Sequence, residues 1–347
     1  MAPPFRAIPT IRTASDHPRF DIHHMTATID LRGVYPALTT PFETDGSIDF
    51  ETLRENARRV ERAGVDGVVP VGSTGESATL SHDEHVEVVE AVADAVDDVP
   101  VIAGAGSNNT AEALELGQRS VDAGADALLL ISPYYNKPEQ RGLVSHYETL
   151  ADEIDAPQIV YNVPSRTGRN IDPDTAVALA EHENVVGFKA ASGDLGQITE
   201  IIERTRELEF AVLSGDDALT LPVLSIGGQG TISVIANVEP ERTTAMVGAA
   251  LAGDYETARE IHHELGALSR ALFWETNPIP VKEAMHVRGH HRPELRSPLS
   301  RLAPEYREAL AAVLDDLDDF EREGEAGDDA GGDAAESDGE RLAGVDS

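Results

Sequence analysis

Lys189 closes the apolar run "NVVGFKAAS" (184–192), and the chain has only two other lysines, Lys137 and Lys282, against 24 arginines. The run reads as a buried strand. A lysine at its end either carries its ammonium out to water on its methylene stem or is held dry. Held dry, it binds its proton less tightly and becomes a nucleophile. The ends of other apolar runs add the partners such an amine needs: "PVGSTGES" (70–77), "SPYYNKP" (132–138), "YNVPSRTG" (161–168), "LSGDD" (213–217) and "GTISV" (230–234). They bring tyrosines, hydroxyls, glycines and an arginine, without a cluster of metal-ligand type. An amine that adds to a ketone, hydroxyls that shuttle protons and a guanidinium fork that grips a carboxylate make a Schiff-base site. Each stretch also has a plain reading: Tyr134 and Tyr135 as packing residues, Arg166 as a surface ion pair, "GSTG" as an ordinary turn. Their order on successive strand ends favours the chemical reading.

The elements that must position these residues alternate. Apolar runs recur at 33–40, 64–72, 99–106, 125–133, 157–164, 184–192, 209–217 and 228–237, with seven spacers between them. "SHDEHVEVVEAVADAV" opens with Ser81 and carries Glu84 three residues on, a capping box before apolar residues at helical spacing. "NTAEALELGQRSVDAG" runs from a polar cap at Asn109 to a stop at Gly124. The spacer before "GQGTISV" is short, so its helix is expected to be small. Eight strand–helix units predict parallel strands joined by crossover helices, and eight is the number that closes a (β/α)8 barrel. An open doubly wound sheet is the alternative. Beyond residue 237 the pattern is helical only, which predicts a C-terminal helical region over 238–320 after a barrel over 31–237. Residues 1–30 are irregular, and Met25 opens "MTATIDLRGVYPALTTPF", which reads as a natural start. Residues 321–347 are acidic and Gly-rich and are expected to be disordered.

Composition narrows the possibilities. With no cysteine there is no disulfide, thiolate metal site or cysteine nucleophile. A net charge of −36 repels nucleic acid and anionic membrane surfaces. Few lysines with an excess of Asp and Glu read as adaptation to a salt-rich cytoplasm, where salt screens the self-repulsion. No apolar run approaches the ~18 residues of a membrane span. The expected location is cytoplasmic.

From Leu31 to Phe320 the chain resembles the dihydrodipicolinate synthase / N-acetylneuraminate lyase family. "GSTGESATLSHDEH", "PYYNKP", "YNVPSRTG", "LSGDDA", "GTISVIANV" and "NPIPVKEAM" stand in that family's order and spacing. The resemblance implies a (β/α)8 barrel with a helical C-terminal part, usually a homotetramer, using no metal or organic cofactor. It implies condensation of pyruvate with L-aspartate-4-semialdehyde. Lys189 would form the imine, with Tyr161 as the central acid and base and Ser73 and Tyr135 as its relay. Tyr135 is expected to cross into the neighbouring subunit's site. Thr74 and Gly72 would hold pyruvate's carboxylate, and Arg166 that of the semialdehyde. Gly215 and Ile232 would line the pocket. The family commonly has threonine at Ser73, which keeps the hydroxyl, and often glutamate where Ala190 stands. If Lys189 points into the barrel, Ala190 points out toward helices.

Two other activities compete. A lyase for keto-deoxy sugar acids or N-acetylneuraminate would share the lysine and tyrosine but generally lack Arg166. A silent small-molecule sensor would have lost the lysine or the tyrosine. His82 and His85 are spaced like a metal pair, but the capping box already accounts for their neighbours and no third ligand is evident. The resemblance instead implies an L-lysine effector site from Ala78, His82, His85, Asn108, Glu112 and Tyr134.

Overall fold

Parallel pairing of short strands needs a crossover after each one, and helices supply it here. The computed structural model describes residues 29–331; residues 1–28 and 332–347, and with them most of the expected N-terminal extension and acidic tail, lie outside the described residues. Seven of the eight apolar runs form one parallel sheet. Its strands are β1 (Gly33–Pro36), β2 (Ile102–Gly104), β3 (Ala127–Ile131), β4 (Gln158–Asn162), β5 (Val185–Ala190), β6 (Ala211–Ser214) and β7 (Gly230–Ser233). Their order is β1-β7-β6-β5-β4-β3-β2.

The remaining run, 64–72, closes the ring between β1 and β2. Val69 bridges Ala37 and Val68 bridges Val101. The Leu38 N–H donates to the Val69 carbonyl and the Ile102 N–H to the Val68 carbonyl, each at 2.9 Å. This segment is no regular strand, because Pro70 has no N–H for the ladder and Val71 turns out of it with a φ of 51°. The closed (β/α)8 barrel expected from the alternation results, and the open sheet does not.

Helices α1 (Phe50–Arg62), α2 (His82–Ala93), α3 (Thr110–Asp122), α4 (Gln140–Glu153), α5 (Pro164–Thr167), α6 (Pro173–Leu179), α7 (Leu195–Thr205) and the short α8 (Thr220–Ser225) lie in the spacers. The local signals operate as read. Ser81 and Glu84 form a reciprocal capping box, Asn109 caps α3, and Gly124 follows α3 with a φ of 101°. The C-terminal region holds α9 (Pro240–Leu251), α10 (Tyr255–Ala271), α11 (Ile279–Val287) and α12 (Pro304–Gly331). The backbone of α12 stays helical past residue 320, where the tail was expected to begin.

Period-two alternation divides the buried residues into two cores. Leu129, Ile159, Tyr161, Leu213 and Ile232 fill the barrel's interior. Leu128, Leu130, Val160, Phe188, Ala190 and Val212 face the helical shell. Ala190 therefore packs outward while Lys189 points the other way. Among the described residues no helix is long and apolar enough to cross a membrane.

Candidate active site

β4 and β5 bring the amine and the phenol together. Tyr161 and Lys189 are register partners across this strand pair. Both point inward, because each is one residue from an outward-facing neighbour. Lys189 is 6% exposed, which rules out a head that reaches water. Its ammonium lies 4.2 Å from the centroid of the Tyr161 ring. Burial pushes the Lys189 pKa down to about 7; the Asp217 carboxylate opposes the fall and the Arg166 charge adds to it. Burial raises the Tyr161 phenol above its ordinary value, and Arg166 and a hydrogen bond with Ser73 hold it back. The pair is thus an amine that gives up its proton near neutrality beside a phenol that keeps its own. Gly215 leaves room for the lysine stem: a Cβ there would stand 2.9 Å from Lys189 Cε. Its backbone N–H donates to the Ala190 carbonyl at 2.8 Å.

The loop after the irregular strand supplies the hydroxyls. Val71 and Glu76 bound it, both at positive φ (51° and 54°), unusual for any non-glycine and most of all for a β-branched residue. Gly75 fits between them only because it lacks a Cβ, which would lie 3.0 Å from the Val71 nitrogen and 3.1 Å from the Leu38 carbonyl oxygen. Thr74 is buried, and its hydroxyl oxygen accepts a bond from the Asn277 side-chain amide at 2.9 Å. That leaves the hydroxyl proton to donate. Arg166 sits on α5 and its Nη2 donates to the Asn277 carbonyl at 2.7 Å.

A cavity of about 560 Å³ opens over these groups. Gly72, Ser73, Tyr161, Arg166 and Asn277 line one part of it, and Ala78, His82, His85, Glu112 and Tyr134 line the rest. Thr74, Lys189 and Ile232 are buried and do not line it, and Gly215, expected with Ile232 to line the pocket, does not either. Tyr135 stands apart: it is 87% exposed, with a φ of 57°. Within one chain it is no part of this cavity.

The six residues expected to take an effector are mostly assembled. His82 Nε2 lies 3.2 Å from Glu112 Oε1. Glu112 also accepts a bond from the Ser107 hydroxyl. His85 is buried, its Nε2 lies 2.6 Å from the Gly104 carbonyl oxygen, and burial lowers its pKa to about 4. A neutral ring whose Nε2–H donates to a carbonyl satisfies both facts. Asn108 does not line the cavity; its carbonyl accepts the Asn136 side-chain amide at 3.1 Å.

Three residues at the site had been given no role by the sequence. Asn277 touches both Thr74 and Arg166, as described. Glu76 and Lys282 form an ion pair of 2.5 Å with both side chains fully buried. The signals available were the scarcity of lysine and the place of all three residues in the motifs "GSTGESATLSHDEH" and "NPIPVKEAM".

This geometry can be set beside known proteins. The model of the dihydrodipicolinate synthetase family matches residues 30–317. The 4-hydroxy-tetrahydrodipicolinate synthase of Haloarcula marismortui is 71% identical over 301 residues, covering 87% of this chain and 98% of the relative. The crystal structure of the chloride-inhibited dihydrodipicolinate synthase from Acinetobacter baumannii complexed with pyruvate matches with a TM-score of 0.81 and 41% identity, over 84% of this chain and 99% of that one. The crystal structure of DHDPS from Cyanidioschyzon merolae with lysine bound matches with a TM-score of 0.79 and 38% identity, over 82% of this chain and 98% of that one. With its lysine and tyrosine paired inside a closed barrel, and with matches that run nearly the full length of each relative, the chain belongs to the dihydrodipicolinate synthetase family.

Proposed function

We propose that this protein is a Schiff-base lyase that condenses pyruvate with L-aspartate-4-semialdehyde to 4-hydroxy-tetrahydrodipicolinate, in the diaminopimelate route to lysine. The observation that carries the proposal is the buried Lys189 amine on the face of Tyr161, beside a cavity that holds Arg166. The neutral amine adds to the pyruvate ketone. The Tyr161 phenol protonates the departing hydroxyl, water leaves, and the imine forms. Loss of a proton from the methyl carbon gives the enamine, whose carbon attacks the aldehyde of the second substrate. The semialdehyde's own amine then attacks the imine carbon, closing the ring and releasing Lys189. Neither metal nor organic cofactor has a part in these steps.

Gly72 and Thr74 bind the pyruvate carboxylate through a backbone amide and a free hydroxyl proton, and Arg166 takes the carboxylate of the semialdehyde. Gly215 gives the Lys189 stem its room, and Ile232 packs in the barrel interior beneath the site. Ser73 passes protons to Tyr161. Tyr135 completes the relay from a neighbouring copy, a reading supported by its exposure and by its place outside its own chain's cavity. The working form in this reading is a homotetramer built from such dimers, as the family resemblance implies. The charge of −36 fits work in a salt-rich cytoplasm.

A regulatory reading rests on the shared cavity. Ala78, His82, His85, Glu112 and Tyr134 line the same space as Ser73 and Tyr161, so L-lysine bound there would lie close to the relay. Turnover of pyruvate with the semialdehyde, measured against a panel of keto-deoxy sugar acids and N-acetylneuraminate, tests the main proposal. Turnover confined to the sugar acids would overturn it.

A further inference from the structure

Lys282 lies in "NPIPVKEAM", 206 residues from Glu76 in sequence, and their side chains meet at 2.5 Å. The ammonium also donates to the Glu294 carbonyl at 2.7 Å and stands 4.2 Å from the Phe42 ring centroid. The second Glu76 oxygen accepts the Arg296 backbone N–H at 3.1 Å. Both charges are satisfied, yet a buried ion pair stabilises a fold little better than apolar residues of the same shape. Its use has to be sought in what it fixes.

It fixes a turn. Glu76 ends the "GSTGE" stretch with a φ of 54°, which its own backbone does not favour. Its N–H bonds the Ser73 carbonyl at 3.3 Å, and the N–H groups of Gly75 and Ser77 both reach the Gly72 carbonyl, at 3.1 and 3.3 Å. The hydroxyls of Ser73 and Thr74 ride on this turn, and its last residue is bolted to the C-terminal helical region. Asn277, on the same C-terminal stretch as Lys282, holds Thr74 from the other side.

We propose that Glu76, locked by Lys282 and the Arg296 amide, is a positioning residue that sets the Ser73–Thr74 turn for binding the pyruvate carboxylate. This rests on the function proposed above. Glu76→Gly separates the anchor from the backbone, because glycine accepts the left-handed φ without cost. Lys282, left without its counter-charge, can lose its proton, since burial already lowers its pKa to about 8. Glu76→Gln keeps the shape: its Oε1 accepts the Arg296 N–H, and its Nε2 donates to the lone pair of a deprotonated Lys282.

The test uses the full-length protein, with pyruvate KM, kcat and the thermal unfolding midpoint measured for each variant. Glu76→Gly is expected to raise the pyruvate KM by about tenfold or more while kcat changes less than about threefold, and Glu76→Gln to stay within about threefold of the unsubstituted KM. An unchanged KM in Glu76→Gly, or a lower unfolding midpoint with KM unmoved, would overturn the proposal. Should Glu76→Gly fail to fold, Glu76→Asp decides, since its shorter carboxylate must draw the turn back: a raised KM supports the proposal and an unchanged one overturns it. Borohydride trapping of pyruvate on Lys189 in the unsubstituted protein separates the two levels. If trapping is absent, the parent function fails; if it is present with KM constant across the variants, only the positioning role fails.

Discussion

Tyr161 and Lys189 face each other across β4 and β5, with the ammonium 4.2 Å from the ring centroid. One side chain thus performs two services. The ring face eases the burial of a cation, while the hydroxyl extends toward Ser73 and the cavity. Tyr161→Phe separates them. The variant is expected to fold and to form the trapped pyruvate adduct, but to lose about 10²–10⁴-fold in kcat, the usual worth of a positioned acid or base. Turnover equal to that of the unsubstituted protein would remove the phenol from the mechanism.

The pKa of Lys189 sets a pH dependence. Below about 7 the group is an ammonium and cannot attack; above it the amine is free. The rate of imine formation, followed by borohydride trapping at short times, should rise as pH climbs through about 7 and then level off. Stability has the matching sign. The folded pKa is depressed from 10.5, so between about 7 and 10.5 the unfolded chain binds the extra proton and the group's contribution to stability grows with pH. Lys189→Met should abolish trapping and raise the unfolding midpoint more at pH 6 than at pH 10. A midpoint gain independent of pH would show that burial does not set this pKa.

Arg166 is exposed at the cavity mouth, where its Nη2 donates to the Asn277 carbonyl. Arg166→Ala should leave the unfolding midpoint unchanged. A charge-assisted pair is worth roughly 1.5–3 kcal/mol, so kcat/KM for the semialdehyde should fall ~10–150-fold. Pyruvate trapping should change little. Equal losses for both substrates would assign the guanidinium to the wrong carboxylate.

Gly215→Ala would place a methyl 2.9 Å from Lys189 Cε and 3.0 Å from its Cγ. It would also lie 2.9 Å from the Ala191 Cβ, which has no stem to bend away, so the variant should lose some stability as well. The amine then leaves its place over Tyr161, and a misplacement of about 1 Å at the reacting group costs on the order of 10²-fold in rate. Normal trapping kinetics in this variant would show that the stem has room to spare.

L-lysine at millimolar concentration should inhibit at working ionic strength, and Glu112→Ala should relieve inhibition by about 5–150-fold without changing the uninhibited rate. Calorimetry showing no binding to the unsubstituted protein would return His82 and Glu112 to the role of a half-exposed ion pair.

Much of this site was legible in the sequence because barrel geometry turns chain order into spatial order. Ends of successive strands converge on one rim, so Ser73, Tyr161 and Arg166 needed only to be read at run ends. Period-two alternation was enough to send Ala190 outward. The capping box at Ser81 and the stop at Gly124 are local and were equally plain. Run 64–72 reads as a strand like the others, but Pro70 and the left-handed Val71 reduce it to bridges. Asn277 and Lys282 escaped for a different reason. Their partners lie some 200 residues earlier, and neither composition nor periodicity carries information across that distance. Tyr135 carries no local signal for where its ring must go, and its expected place in a neighbouring copy came from the family resemblance alone.

The scarcity of lysine has a practical side. Lys189 and Lys282 are buried, so Lys137 is the one exposed lysine side chain. It follows Tyr135 by two residues, on the loop proposed to meet a neighbouring copy. An amine-directed acylating reagent applied to the native protein therefore reads a single side chain, and protection of Lys137 as protein concentration rises would report assembly without any engineered tag.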